Sequence, residues 1–328
     1  MSDRPLLPAR LAIGLFLLAG LALPLAATVH AGVSGPELHG EVVAVAGPAV
    51  VAQAAVDRAN AMSDRPVHAR VVESPDGLEP DERAARAEVS SGAAAAAVVI
   101  DLRRTADTLL VAGWLPSDVA RQLASDAAAV SASYGRTLHT VRVSPPRPGS
   151  PHLPARLVAL LVGVGIALAA ALSAWRGPVA ATTARGAARL SGTAAAGCAV
   201  GAVVAALVDT GRPLVTALVC AAAVSVSAWL VLAAESLLGL AGLGLATGLL
   251  LGPVVPLLSG TDPAYLPSPW WQVDRLAPQQ ATLRLLQHDL MGIDVAAARS
   301  WLLLLAWAAI AVLTLVASRQ ERPATRTP

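Results

Sequence analysis

The chain has 328 residues, of which 55% are hydrophobic and only 14% charged, against about 25% charged in an average soluble domain. All 24 basic residues are arginine, so the chain has no lysine for a phosphate-binding GxxxxGKS/T loop or for a Schiff base. The formal charge of +2 is too small to indicate nucleic-acid binding, and the apolar content excludes a disordered chain.

Six charge-free apolar runs predict a polytopic α-helical membrane protein. A helix needs about 20 residues to cross a hydrocarbon core of about 30 Å, and soluble proteins rarely contain such helices without a polar face. We therefore expect six transmembrane helices, with a small external α/β domain between the first and the second. The runs are residues 11–29, 157–175, 190–208, 214–234, 237–258 and 301–317.

The first run allows two interpretations. It follows Arg4 and Arg10 and ends on the small-x-small pattern Val29–Ala31, which is typical of a cleaved secretory signal. Its 19 residues exceed the usual signal core of about 7–15 residues, which favours an uncleaved anchor in residues 1–29. On either interpretation the following segment is delivered outside.

Residues 30–143 show a mixed pattern of strands and helices that predicts a small α/β sandwich. Five prolines between residues 144 and 154 then predict a stiff, extended stalk over residues 144–156. The predicted helices are 48–62, 80–91 and 116–134, and the predicted strands are 67–73, 94–102, 108–114 and 137–143.

Glycines and prolines punctuate the membrane runs. The run 237–258 contains Gly242, Gly244, Gly248 and Gly252. Their four-residue spacing is a small-xxx-small pattern that lets helices approach closely, and Gly197 and Gly201 repeat it. Pro253 and Pro256 are expected to break the end of that crossing. This break is either a kinked helix end or a flexible element beside a transport pathway.

The loop 259–299 is predicted to form an external hairpin with an amphipathic helix from Pro278 to Gly292. Trp270 and Trp271 precede it, and tryptophan favours the membrane–water boundary. The helix either packs on the bundle or acts as an external gate, formed by Trp270, Trp271, Pro278 and Leu286. Its apolar side is Thr282, Leu283, Leu286, Leu290 and Ile293, and its polar side is Gln280, Arg284, Gln287 and His288.

Arginine placement predicts the orientation. Segment 30–156 has 12 arginines and 14 acidic residues, and loop 259–299 has three and four, so neither is net basic. The positive-inside rule therefore places both termini in the cytoplasm. The arginines on the predicted cytoplasmic side are Arg4, Arg10, Arg176, Arg185, Arg189, Arg319, Arg322 and Arg326.

The sequence predicts no enzyme. Its six histidines are far apart without metal-ligand spacing, no GxSxG motif is present, and we expect no catalytic, metal or cofactor-binding residues and no cofactor. The six runs also contain no Asp, Glu, Arg or His, whereas ion-coupled transporters usually place an ionisable group at depth. Any transport is therefore expected to draw its energy from elsewhere.

The order of one crossing, an external α/β domain and five further crossings resembles the type-2 export permeases of ABC transporters. It also resembles the related phage-infection-protein family of membrane proteins from high-GC bacteria. Residues 84–102, AARAEVSSGAAAAAVVIDL, are similar to an external motif of that family, and residues 266–292 to its external hairpin before the last crossing. The resemblance implies a homodimer in the lipid bilayer of a bacterial plasma membrane. It also implies a separate ATPase subunit, facing the loop with Arg185 and Arg189.

The leading hypothesis is therefore the membrane subunit of an export system for an amphipathic or lipid-like substrate, energised by a separate ATPase. The alternative is a non-transporting, membrane-anchored surface protein whose external domain binds a partner or an envelope component. A membrane-embedded enzyme ranks third, because no catalytic polar residue lies in the apolar runs.

Overall fold

The structure is a computed structural model in which an α/β domain is followed by a bundle of apolar helices. The predicted first crossing lies outside the described residues, apart from two isolated positions, as do residues 146–151 of the proline-rich stalk. The described residues are 26, 29, 37–61, 67–72, 82–145, 152–176, 183–208, 211–259, 262–268, 270–293 and 295–320.

The α/β domain contains a five-stranded sheet with the strand order β2-β1-β3-β4-β5. Strands β3 and β4 pair antiparallel, and every other neighbouring pair is parallel. Each predicted strand and helix of this region is present. The strands are β1 (Glu41–Ala46), β2 (Val67–Val71), β3 (Ala96–Val99), β4 (Ala106–Ala112) and β5 (Thr137–Val143), and the helices are α1 (Ala49–Asn60), α2 (Glu82–Ser91) and α3 (Ser117–Ser133).

Sequence analysis missed strand β1, which lies inside the sheet between β2 and β3. Its last four residues, Val43 to Ala46, are all buried, so the strand lacks the alternation that marks a half-exposed strand. Strands buried on both faces read as continuous apolar runs, and this run is short and rich in alanine and valine. The position of β1 inside the sheet therefore explains why the sequence did not reveal it.

Helices α1 and α2 lie on opposite faces of the sheet. On one face, Ala69 of β2 shares a small core with Ala52 and Val56 of α1. On the other face, the neighbouring Arg70 forms an ion pair of 2.8 Å with Glu88 of α2. Because successive strand residues point to opposite faces, these two contacts assign one helix to each face.

Four helices of the bundle are long and apolar enough to cross a membrane, which indicates a membrane-embedded protein. They correspond to four of the six predicted runs. Helix α4 begins at Leu153, so the last residues of the predicted extended stalk are helical instead. The four helices are α4 (Leu153–Arg176), α5 (Thr183–Leu207), α6 (Pro213–Leu238) and, at the end of the chain, α11 (Ala297–Gln320).

The run 237–258 is not the single helix that the sequence predicts. Helix α6 ends at Leu238, Gly239 takes a φ of +64°, and the chain turns back into α7 (Leu240–Leu251) and α8 (Val254–Ser259). At 12 residues, α7 is too short to cross a bilayer alone. The predicted break is present at Pro253, which lies between α7, capped by Gly252, and α8, whereas Pro256 lies within α8 and breaks no helix.

The predicted helix in the loop 259–299 is present as α10 (Pro278–Met291), after a 3-10 turn (Pro263–Tyr265) and the short helix α9 (Trp270–Asp274). Gly292 ends α10 in the left-handed conformation, as predicted. The predicted apolar side is buried except for the half-buried Leu290, whereas on the predicted polar side only Gln280 is buried and the other three residues are half-buried. Helix α10 packs against α4, α6 and α11, so its buried residues include Gln279, Gln280, Thr282 and Asp289 beside Leu283 and Leu286.

Helices α5 and α6 meet through glycines, which gives a stability prediction. A Cβ atom on Gly201 would lie 2.2 Å from the carbonyl oxygen of Ala217, whereas one on Gly192 of the same helix would have nothing within 4 Å. Gly201→Ala is expected to lower stability by about 1–3 kcal/mol through overpacking. Gly192→Ala is expected to raise it by about 0.5–1 kcal/mol, because alanine favours a helix.

The measurement is the thermal unfolding of both variants in the same detergent, followed by circular dichroism. A Gly201→Ala protein as stable as Gly192→Ala would contradict the close contact between α5 and α6.

Candidate functional site

An aliphatic groove lies on the α1 face of the sheet, between α1 and α3. It encloses about 900 Å³. Its floor is formed by residues of β1 and β3 that share this face, among them Val45 and Val98, and its walls by Val51 of α1 and by Leu123 and Val130 of α3. We refer to this cavity as the sheet groove.

The order of the strands explains why the groove is open. On this face, helix α1 connects β1 to β2 at one edge of the sheet, and α3 connects β4 to β5 at the opposite edge. Strand β3 passes to β4 through the short turn 100–105, so no connecting helix covers the middle of this face. Small wall residues, Ala54 and Ala55 on α1 and Ala127 on α3, leave the space unfilled.

A buried ion pair closes one end of the sheet groove. Arg136 donates from Nε to Oδ1 of Asp107 at 2.8 Å and from Nη2 to the carbonyl oxygen of Asp101 at 2.7 Å. The Asp107 residue is 3% exposed. Two bonds to one guanidinium fix its plane at the start of β4 and β5, which gives this end of the groove a defined polar surface.

Other polar groups lie along α3. Gln122, Asp126 and Tyr134 line the groove on that side, and partial burial raises the pKa of the Asp126 carboxyl. The remaining lining is almost entirely aliphatic. Around the groove, Val50, Leu102 and Tyr134 leave more than half of their surface exposed.

The groove fits a molecule with a long apolar part and a small polar part. Its volume is near the upper end of ligand pockets, which span about 300–1,000 Å³, and such pockets combine apolar walls with a few placed polar groups. Among the described residues, no group of three or more His, Cys, Asp or Glu could hold a metal ion. The chemistry available here is therefore binding by apolar burial and hydrogen bonding.

Comparison of the chain with models of protein families, with curated proteins and with solved structures found no match. The geometry of the described residues is therefore the basis for the function inferred below.

The four residues predicted as a gate do not form one surface. Trp271 stacks on His39, next to the α/β domain, with ring centroids 4.6 Å apart and planes at 20°. Trp270 begins α9 and is half-buried, whereas Pro278 and Leu286 are buried in α10. The structure thus divides the set between the α/β domain and the bundle.

The predicted glycine and proline set lies in α7 and α8. Gly244 and Gly248 are buried within α7, Gly252 caps its end, and Pro256 lies in α8. The predicted close helix approach is seen at Gly242, since a Cβ atom there would lie 2.0 Å from the carbonyl oxygen of Ala234. A role of these residues beside a pathway stays a prediction.

Arg185 and Arg189 lie in helix α5 and not in a loop. Arg185 is exposed, but Arg189 is only 6% exposed, and its charge acts on Glu235 of α6. Glu235 is fully buried and accepts a hydrogen bond from the Ser173 hydroxyl of α4. The buried position of Arg189 contradicts its predicted place on an ATPase-facing loop, because the helix is longer than the charge-free run that marked it.

Helix packing also adds buried carboxyls to the bundle that the apolar runs did not contain. Besides Glu235, Asp289 of α10 is 1% exposed and accepts a hydrogen bond from the Thr216 hydroxyl of α6. Both carboxyls lie outside the six runs in sequence. Only helix packing brings them inside.

Sequence analysis also missed the sheet groove. The one available signal was Asp107, which is a charged residue in the otherwise apolar strand Ala106–Ala112. Its partner Arg136 lies beyond helix α3, and no local spacing links the two.

Proposed function

We propose that this protein is the membrane subunit of an export system for an amphipathic, lipid-like molecule, energised by a separate ATPase. In this proposal both termini are cytoplasmic, the α/β domain lies outside the bacterial plasma membrane, and two copies form the working unit. Residues 11–29 provide the first of six crossings. Helices α7 and α8 together provide the fifth, since their 12 and 6 residues span about 27 Å.

The sheet groove is the observation that carries the proposal. It offers an aliphatic lining for a lipid-like chain and, at one end, the Asp107–Arg136 pair for a polar headgroup. Burial of apolar area contributes about 25 cal/mol per Å². An amphipathic molecule gains from both surfaces, whereas a fully polar substrate would leave the aliphatic lining unused.

The polar interior of the bundle supports a role beyond anchoring. Glu235 and Asp289 are buried among helices, although a simple anchor requires only apolar residues. Glu235 lies near the end of α6, and Thr216, the partner of Asp289, lies near its start, so the two carboxyls occupy opposite ends of the bundle. The groove and these residues together favour a protein that moves an amphipathic molecule between the α/β domain and the bundle.

The sheet groove also supports the alternative, a surface protein that binds an amphipathic envelope component without transporting it. Both functions require binding in the groove. Only export requires that a change in the groove alter the amount of the molecule inside the cell.

Filling the groove is expected to weaken binding. Ala127 lines the sheet groove, whereas the adjacent Ala128 on α3 is exposed and does not. Ala127→Trp should weaken binding of a dansyl-labelled fatty acid to the full-length protein in nanodiscs by at least about tenfold, which is about 1.4 kcal/mol. Ala128→Trp should bind like the unchanged protein, in a fluorescence titration with empty nanodiscs as reference.

Equal affinities for the two tryptophan variants would contradict binding in the groove. The export function is tested with the same pair in the native host, where Ala127→Trp cells should retain more labelled amphiphile than Ala128→Trp cells. Lost binding with unchanged retention would favour the surface-protein alternative.

A further inference from the structure

The segment 262–277, which we call the strap, joins the α/β domain to the bundle. On the domain side, the amide of Glu37 donates to the carbonyl oxygen of Tyr265 at 3.0 Å, and Nε2 of His39 lies 2.8 Å from the carbonyl oxygen of Leu266. The Tyr265 side chain belongs to the core of the α/β domain. The strap is therefore bonded to the residues that lead into β1.

On the bundle side, the strap is held by α11 and continues directly into α10. Trp307 of α11 donates its indole N–H to the carbonyl oxygen of Leu276 at 2.8 Å. Directly after the strap, Gln279 of α10 donates to the carbonyl oxygen of Leu250 at the end of α7, at 2.7 Å. The strap thus makes hydrogen bonds to both the α/β domain and the bundle.

Three carboxyls meet where the strap lies between the two parts. Glu41 of β1 accepts a hydrogen bond from the Tyr265 hydroxyl, and Asp262 accepts bonds from the side-chain amide of Gln280 and, at 2.9 Å, from the amide of Ala264. Asp274, at the end of α9, is 5% exposed, and its Oδ2 has no hydrogen-bond partner among the described residues.

The charges of this cluster do not balance when all three carboxyls are ionised. The charged and titratable groups that act on them are Asp262, Tyr265 and His39 from the α/β domain and strap, and Arg284 from α10. Arg284 supplies one positive charge against three carboxylates. A buried, unpartnered carboxylate oxygen is unfavourable, and a proton removes its charge at the smallest structural cost.

The directions of the pKa shifts agree with this excess of negative charge. Burial, and then the charge of Asp262, raise the pKa of Asp274 to about 8, although Arg284 opposes the shift. Burial likewise raises the pKa of Asp262 and Glu41. Since the native pKa of Asp274 lies above its unfolded value, the seated strap binds more protons than a released one. Its stability therefore falls as pH rises through the interval between about 4 and about 8.

We propose that the cluster of Glu41, Asp262 and Asp274 is a proton-binding site that latches the α/β domain to the bundle. With its proton, Asp274 stays buried and the strap remains seated between the two parts. Loss of that proton to solvent leaves a buried charge and releases the strap. This latch goes beyond the proposed function, because it holds whether the protein exports a molecule or only binds one.

Hydrogen exchange of the full-length protein in nanodiscs tests the latch between pH 6 and pH 9, with rates corrected for the intrinsic effect of pH. The protection of strap amides such as those of Tyr265 and Leu276 should fall on the order of 100-fold over this interval, the change expected for a group with a pKa of about 8 when seated and about 4 when released. Amides in the middle of α6 serve as the internal reference and should keep their protection.

Asp274→Asn removes the titrating group and should keep the strap protected at pH 9. Asp57→Asn, at an exposed position on α1, is the matched control and should show the pH response of the unchanged protein. Protection in the unchanged protein that does not differ between pH 6 and pH 9 would overturn the proposal, and so would an unaltered pH response in Asp274→Asn. If Asp274→Asn does not fold, the pH dependence of protection in the unchanged protein alone tests the latch. Fatty-acid binding by Asp274→Asn tests the sheet groove separately, so failure of the latch and failure of the proposed function can be distinguished.

Discussion

Leu286→Arg is expected to destabilise the protein by more than about 4 kcal/mol or to prevent folding. Leu286 is fully buried in α10, which packs against α4, α6 and α11. Arginine there is larger than the space that leucine fills, and it brings a charge into the apolar core. Overpacking and an unpaired buried charge are among the few mechanisms that produce effects of this size.

The measurement is thermal unfolding in detergent, with Leu276→Arg as the matched control. Leu276 lies two residues before α10 and is 59% exposed, so the same substitution should change stability there by no more than about 0.5 kcal/mol. Similar melting temperatures for the two arginine variants would show that α10 is not embedded in the bundle.

Arg136→Ala is expected to lower the stability of the α/β domain by about 3–5 kcal/mol, because it leaves the carboxylate of Asp107 buried without its partner. The side chains of Arg136 and Asp107 are 18% and 4% exposed, and their contact is 2.8 Å. The same change opens the polar end of the sheet groove. It should therefore also weaken fatty-acid binding.

Arg86→Ala is the control for the loss of an arginine in an ion pair. Arg86 and Glu82 form an exposed pair at i and i+4 on α2, whose loss should cost no more than about 0.5 kcal/mol. Hydrogen exchange of β4 reports the stability of the domain in both variants. If β4 opens as readily in Arg86→Ala as in Arg136→Ala, the buried pair does not stabilise the sheet.

Local chemistry explains which elements could be predicted. Pro278 and Gly292 bound α10 as expected, because proline is tolerated in the first turn and glycine adopts the left-handed conformation at the end. Strand β5 has the predicted bounds, Thr137–Val143. Four apolar runs became long helices for the same reason, since length and composition act within each segment.

The errors arise where a neighbouring element decides the environment. Helix α10 is amphipathic by sequence, but Gln280 of its predicted polar side is buried, as is Asp289, because α4, α6 and α11 pack against the helix. The run 237–258 is uniformly apolar, yet Gly239 turns the chain so that α7 packs back on α6. Arg189 was expected to face an ATPase, and the packing of α5 against α6 places it beside Glu235 instead.

The sequence by itself determined that this is an apolar helical protein with a small α/β domain, because run length, turn residues and periodicity are properties of contiguous segments. Only the tertiary structure decided where apolar and ionisable side chains come together to form the sheet groove and the carboxyl cluster. The sheet groove exists because β3 turns directly into β4 and leaves the middle of one face without a helix. The strap between the α/β domain and the bundle brings Glu41 together with Asp274 and Arg284, which lie more than 200 residues further along the chain. Neither feature has a local signal, since each depends on which distant segments share a surface and exclude water from it.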